Sequence, residues 1–213
     1  MSDFDPTDAD RLLRTTKQVR KRLDLTRDVP VELLLECIDI SNHAPVGGNI
    51  QANQWMIVTD PDHKARIAEY YAAVGRPYLA PADTSHPRAA KIIESTMYLI
   101  DHLAAVPALV IPMRTGRPPD DLNGQAGYYG SVLPAVWSFQ LAARIRGLGS
   151  CWTTFHLAHE REIAALLGIP DDMTQVALLP VAYYTGDTFS PARRRAATKI
   201  THLDGWGNAP VGT

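Results

Sequence analysis

The chain has 213 residues, 46% of them apolar and 21% charged, with a formal charge of −2. That composition supplies a core for one compact domain over residues 1–213 and excludes overall disorder, while the near-neutral balance excludes a dominating field for nucleic acid or a membrane surface. No run of ~18 apolar residues occurs, and the acidic opening Met1-Ser2-Asp3-Phe4-Asp5-Pro6 lacks the basic and apolar parts of a secretory leader, so a cytoplasmic location is expected.

The first expected element is a helix around Ala9 to Thr16, followed by a loop holding Lys17, Arg20, Lys21 and Arg22. Pro30 suits a first helical turn, and Leu34, Cys37, Ile38 and Ser41 recur at helical spacing over Val31 to His43. Trp55-Met56-Ile57-Val58 reads as a buried strand. Asp60-Pro61 then opens another helix as an N-cap followed by proline. Ile92, Ile93, Thr96, Met97, Leu99, Ile100 and Leu103 share one side of a helix over Arg88 to Leu103, and Ala108 to Ile111 follows as a short strand.

The stretch Arg114 to Gly127, rich in Gly, Pro, Asp and Asn, reads as a mobile excursion able to cover a binding slot. Tyr129 to Arg146 is apolar on nearly every side and predicts one central helix buried all round, ended by Gly147. Ser150 to Thr154 is a short strand, His159 to Leu167 a helix capped by Gly168, and Val176 to Tyr184 a long apolar strand. The C-terminal extension 186–213 is polar and irregular, and its length suits a segment lying on a partner subunit.

Between the Val31 helix and the Trp55 strand lies Ala44-Pro45-Val46-Gly47-Gly48-Asn49-Ile50-Gln51. The glycines bring bare backbone N–H groups close to a ligand, and Asn49 and Gln51 offer donors and acceptors to a ring edge of mixed polarity; the alternative reading is an ordinary helix-to-strand turn. Gly147-Leu148-Gly149 follows a helix and precedes a strand, the reverse of a dinucleotide fingerprint. Phosphate-cradling Gly-Lys-Ser/Thr, Gly-x-Ser-x-Gly and Cys-x-x-Cys motifs are all missing, so hydrolase and NTPase readings lack their parts. His156, His159 and Glu160 do not have zinc-ligand spacing, and no metal is expected. Cys37 and Cys151 sit in apolar sequence as buried thiols. The first basic cluster and a second, Arg193-Arg194-Arg195, suit phosphate oxygens if they converge, although each alone reads as a solvated face.

Taken in order, these segments resemble the flavin-dependent nitroreductase family, and especially its actinobacterial-type branch. The resemblance rests on Thr15-Thr16-Lys17-Gln18-Val19-Arg20-Lys21-Arg22-Leu23-Asp24, Val29-Pro30, the Ala44 to Gln51 loop, Pro134-Ala135-Val136, Gly147 through Thr154, Leu178 through Tyr183 and the terminal arginines. It implies an α+β fold with a central, mostly antiparallel sheet flanked by helices, built as an intertwined homodimer with the C-terminal tail exchanged and FMN at the subunit interface. By family position, Lys17, Gln18 and Arg20 meet the phosphate and ribityl end, with Arg193, Arg194 or Arg195 closing on the phosphate. Asn49 stands beside the isoalloxazine, Pro45, Val46, Gly47 and Gln51 line the adjoining wall, and Pro134, Ala135, Val136, Trp152, Thr153 and Thr154 flank the rings, the last three through backbone amides.

The resemblance further implies a ping-pong transfer of reducing equivalents from NADPH or NADH to a nitroaromatic, quinone or similar small-molecule acceptor, with no catalytic side chain. The chain departs from the family pattern at Gln18, where serine is usual, at Thr16 or Lys17, which replaces an arginine, and at Trp137-Ser138, where Gln-Asn is frequent. These departures leave open a non-catalytic FMN storage or redox-sensing protein of the same fold.

Overall fold

The computed structural model describes residues 5–210. Four residues of the acidic opening, Met1-Ser2-Asp3-Phe4, and the last three of the C-terminal extension lie outside the described residues.

Helix α1 (Pro6–Thr15) starts where the Asp5 carboxylate accepts from Thr7 N at 2.8 Å, and α2 (Val31–Ser41) buries Leu34, Cys37, Ile38 and Ser41 along one stripe. Strand β1 (Asn53–Val58) leads to α3 (Pro61–Leu79), whose first turn is closed by Asp60 accepting from His63 N at 2.9 Å. Then come α4 (Pro87–His102), β2 (Ala108–Thr115), α5 (Leu122–Gly130), α6 (Leu133–Ile145), β3 (Leu148–Ser150), α7 (Glu160–Leu167), β4 (Met173–Gln175) and β5 (Leu179–Tyr183). Gly147 and Gly168 take φ of +76° and +66°, as helix-ending residues without a Cβ do.

The strands form one antiparallel sheet in the order β1-β2-β5-β3, with β4 beside the far end of β2. Pro112 sits where the neighbour of β2 changes from β5 to β4, so its missing N–H falls between two ladders, and its carbonyl accepts from Val176 N at 2.9 Å. Successive β2 side chains face two cores. Leu109, Ile111 and Met113 pack with Ile67 and Tyr71 of α3, Leu99 and Ile100 of α4 and Ile163 of α7, whereas Ala108 and Val110 pack with Leu34 and Cys37 of α2 and Val136 and Phe139 of α6. Both faces of the sheet are therefore covered by helices.

Four sequence expectations change. The expected single helix over Tyr129 to Arg146 is two, because Pro134 cannot donate inside a continuous helix and instead opens α6 after a break at Ser131 and Val132. The expected strand Val176 to Tyr184 is broken at Val176 and Ala177 and resumes through Leu178, which exchanges backbone bonds of 2.8 and 3.1 Å with Thr153, into β5; the strand expected at Ser150 to Thr154 starts earlier, at Leu148, and leaves Thr153 as that lone bridge. The excursion 114–127 carries regular structure, its first two residues ending β2 and its last six opening α5. Asp121 caps α5 by accepting from Gly124 N, Tyr128 Oη donates to the carbonyls of Arg114 and Gly116 at 3.0 and 2.8 Å, and Arg117 forms a two-armed bond to Glu160 at 2.8 and 2.6 Å.

Beyond Gly186 the described chain contains a single helical turn, Ala197–Lys199. Among the described residues no helix is long and apolar enough to cross a membrane.

Candidate functional site

The basic loop after α1 is stitched along the sheet edge. Val19 N donates to Ser150 O at 2.8 Å and Asp24 N to Tyr183 O at 2.7 Å, and a Cβ added to Gly149 would lie 3.0 Å from the Val19 side chain. This loop sorts its own cations by partner. Lys21 pairs with Glu94, while Arg22 donates to the carbonyls of Thr185 and Thr188 at 2.5 and 2.9 Å and lies 4.0 Å from the Phe189 ring centroid. Arg144 packs on the same ring at 4.5 Å. Lys17 and Arg20 have no carboxylate within ion-pair reach among the described residues.

Held at Phe189, the tail turns back over α1 and α6. Arg194 thereby meets Lys17 and Gln18 around a cavity of about 670 Å³ whose apolar wall includes Leu13, Pro191 and Trp137, the last 36% exposed. A smaller pocket of about 190 Å³ lies beside it, lined by Arg20, Ser95 and Phe189, with Gln18 common to both. The Nε of Arg20 is buried there without a hydrogen-bond partner among the described residues. Arg20 also lies near Cys151, whose thiol is pushed up to about 11 by burial, against the opposing charge of that guanidinium and its hydrogen bonding to the sulfur. Cys151 is thus a buried neutral thiol, as is Cys37, also raised by burial.

The Ala44 to Gln51 loop forms a second, separate cavity of about 760 Å³ lined by Pro45, Val46, Asn49, Gln51, His43 and Asn53. Gly48 and Asn49 are both left-handed, with φ of +59° and +55°, which Asn tolerates better than most side chains. Gly47 N donates to Ser131 Oγ at 3.1 Å, and Asn53 Nδ2 donates to Ser131 O at 2.9 Å while Asn53 Oδ1 accepts from Arg114 at 3.0 Å. The loop is therefore anchored to the break between α5 and α6.

Residues 13–183 match the model of the Nitroreductase family. The chain belongs to that family. Its fold is that of an iodotyrosine deiodinase bound to FMN and 3-iodo-L-tyrosine (TM-score 0.71, 23% identity, 90% of this chain and 98% of that one). It is also that of a nitroreductase-like protein from Bacillus cereus (0.67, 18%, 96% and 100%) and of a variant of the FMN- and NADPH-dependent nitroreductase NfnB from Sphigopyxis sp. strain HMH (0.67, 17%, 93% and 99%). A search of curated protein sequences gives no match.

Set against the nitroreductase pattern, the expected site residues divide. Lys17, Gln18 and Arg194 share one cavity, Arg20 adjoins it, and Pro45, Val46, Asn49 and Gln51 line the other, with Gly47 supporting it from Ser131. Arg193 and Arg195 are exposed and line neither cavity. Pro134, Ala135 and Val136 line neither as well: Ala135 and Val136 are buried in the core on the α2 side, and Trp137, one residue on, faces the cavity instead. Two of the three backbone amides at Trp152 to Thr154 are engaged within the chain. Trp152 N donates to Gln18 Oε1 and Thr153 N to Leu178 O, while Thr153 Oγ1 shares a 2.6 Å bond with the Tyr71 hydroxyl. Tyr71 is pushed up to about 12, chiefly by burial, and stays protonated.

Sequence reasoning missed Ser131, Trp137 and the Arg22–Phe189 contact. Trp137 was visible only as a departure from the family pattern, and nothing local marked Ser131. His156 is fully buried and held neutral by that burial, its basicity down to about 3 despite the nearby Glu160. Among the described residues no three His, Cys, Asp or Glu side chains gather as a metal site.

Proposed function

We propose that this nitroreductase-family chain is an FMN-dependent oxidoreductase that passes reducing equivalents from NADPH or NADH to a small-molecule acceptor such as a nitroaromatic or a quinone, by a ping-pong mechanism in the cytoplasm. The observation that carries the reading is the meeting of Lys17 and Arg194, remote in sequence, around one cavity with no carboxylate paired to Lys17 or Arg194 among the described residues. Unpaired cations beside an apolar wall suit a phosphate monoester carried on a larger organic body. The partnerless Nε of Arg20 in the adjoining pocket adds a donor that awaits an acceptor.

In this reading Lys17, Arg20 and Arg194 hold the phosphate. The Asn49 and Gln51 carboxamides, with Pro45, Val46 and Gly47, form the wall against a planar ring, and Thr154 supplies the backbone amide in its segment that is free of the bonds holding Trp152 and Thr153. When bound, FMN supplies the hydride chemistry that no side chain here provides. The two cavities share no lining residue on one protomer, which supports a homodimer in which the loop of one copy walls the ring of a flavin whose phosphate is held by Lys17, Arg20 and Arg194 of the other, with the extension beyond Arg194 reaching across.

The visible spectrum of the purified protein is the test, followed by anaerobic addition of NADPH or NADH. A yellow protein bleached by either nucleotide fits an enzyme. Colour that neither nucleotide discharges points to storage of the flavin, and a protein that stays colourless after incubation with FMN ends the flavin reading.

A further inference from the structure

Gln18 is the one residue that lines both the Lys17–Arg194 cavity and the Arg20 pocket, and its side-chain oxygen is tied to Trp152 N–H. The backbone that follows it has little freedom: Val19 N is bonded to Ser150 O at 2.8 Å and the Val19 side chain is pressed against Gly149. The far strand is equally fixed, since Ser150 Oγ accepts from Gln140 Nε2 at 3.0 Å inside the core. The carboxamide therefore spans a rigid gap. On one side of it stand Lys17 and Arg194, and on the other stands Arg20, whose buried Nε has no hydrogen-bond partner among the described residues.

We propose that Gln18 is a tethered partition, which separates the two cationic pockets and withholds the Trp152 amide, and which a phosphorylated ligand must displace before Lys17, Arg20 and Arg194 can grip it together. The ligand in this proposal rests on the flavin reading; the tether itself does not. A serine hydroxyl at this position is too short to bridge to Trp152 from the same backbone, so the partition follows from the longer side chain of this sequence. Displacing it breaks one neutral hydrogen bond, and its removal by Gln18→Ala should tighten FMN binding about threefold to tenfold. Gln18→Glu keeps an acceptor for Trp152 N–H and places a negative charge between the pockets, so it should weaken FMN binding instead.

Three measurements on the full-length chain test this. In the ligand-free protein, amide exchange at Trp152 should be at least severalfold faster in Gln18→Ala than in the unsubstituted chain. Inorganic phosphate, a probe that needs no flavin, should shift the Arg194 Nε–Hε resonance in both proteins and that of Arg20 in Gln18→Ala alone. FMN titration should then give the ordering Gln18→Ala tighter than unsubstituted tighter than Gln18→Glu. Equal exchange at Trp152, an equal Arg20 shift in both proteins, no Arg194 shift in either, or weaker FMN binding by Gln18→Ala each overturns the partition. FMN binding by none of the three proteins ends the flavin reading, and the exchange and phosphate results still decide the tether.

Discussion

The Arg22 guanidinium rests 4.0 Å from the Phe189 ring centroid and bonds the carbonyls of Thr185 and Thr188, which sets the direction in which the C-terminal extension leaves the sheet. From that anchor the chain reaches Lys17 with Arg194. Arg22→Ala removes a cation–π contact and two charge-assisted bonds at a half-exposed site, and should cost about 1–2 kcal/mol in urea unfolding. FMN affinity should fall as well, with Arg22→Lys restoring little, because an ammonium cannot bond both carbonyls as a fork does. Gly186→Ala, at φ +77° with the new Cβ 2.8 Å from Arg22 Nη2, should loosen the same anchor.

Of the three consecutive arginines, Arg194 lines the cavity it shares with Lys17 and Gln18, and Arg193 and Arg195 line neither of the two cavities. Arg194→Ala should weaken FMN binding by about tenfold or more, the scale of a charge-assisted bond. Arg193→Ala and Arg195→Ala should stay close to the unsubstituted chain. A titration at two salt concentrations checks both points, since the Arg194 substitution should also flatten the salt dependence.

Ser131 carries the loop of the second cavity, because its Oγ accepts from Gly47 N while donating to Gly127 O at 2.7 Å. Ser131→Ala should lower stability by about 1 kcal/mol and weaken FMN binding. Gly47→Ala should also be harmful, since its Cβ would sit 3.1 Å from Ser131 Oγ. The pair Gly47→Ala with Ser131→Ala should then lose less than the two losses combined, because the hydroxyl that the methyl strikes is gone.

Glu160 fastens the 114–127 segment to α7. Burial raises its carboxyl, but the bond from Arg117, the bond from Gln175 N–H at 2.9 Å and the charges of Arg117 and Arg161 outweigh burial, so it titrates below the ordinary carboxylate value. A group whose folded value is depressed contributes stability that is complete above its unfolded value and is lost as pH falls through the folded one. Melting temperatures measured from neutral pH down to about pH 3 should therefore fall in the unsubstituted chain and fall less steeply in Glu160→Gln, which should start lower at neutral pH.

Helix and strand identities were legible where a local pattern repeats. The stripe Leu34, Cys37, Ile38 and Ser41, the caps Asp60-Pro61, Gly147 and Gly168, and the apolar run of β2 all act over a turn or two of chain and appear as read. Errors arose where a distant partner intervenes. The expected strand breaks at Val176 and Ala177, where Val176 N bonds Pro112 O of β2 and Leu178 then pairs with Thr153, and Arg117 meets Glu160 across the segment that composition alone marks as loose. In the candidate site, the residue types that suit a phosphate and a planar ring were visible, whereas the division into two cavities was not. That division depends on which side of α6 each residue occupies: Ala135 and Val136 point into the core and Trp137 into the cavity.

The linear order of the matched segments carried the family resemblance and the α+β class it implies, while apolar stripes and helix caps marked the elements and cationic clusters offered candidates for a phosphorylated ligand, because each of those features resides in a short stretch of covalent neighbours. Only the tertiary structure decided which cations remain available. Lys21 is taken by Glu94 and Arg22 by the tail carbonyls and Phe189, while Lys17 and Arg194 line one cavity and Arg20 the pocket beside it. The physical reason is that a charge is engaged or left over according to what lies within a few ångströms of it, and those neighbours come from elements far away along the chain.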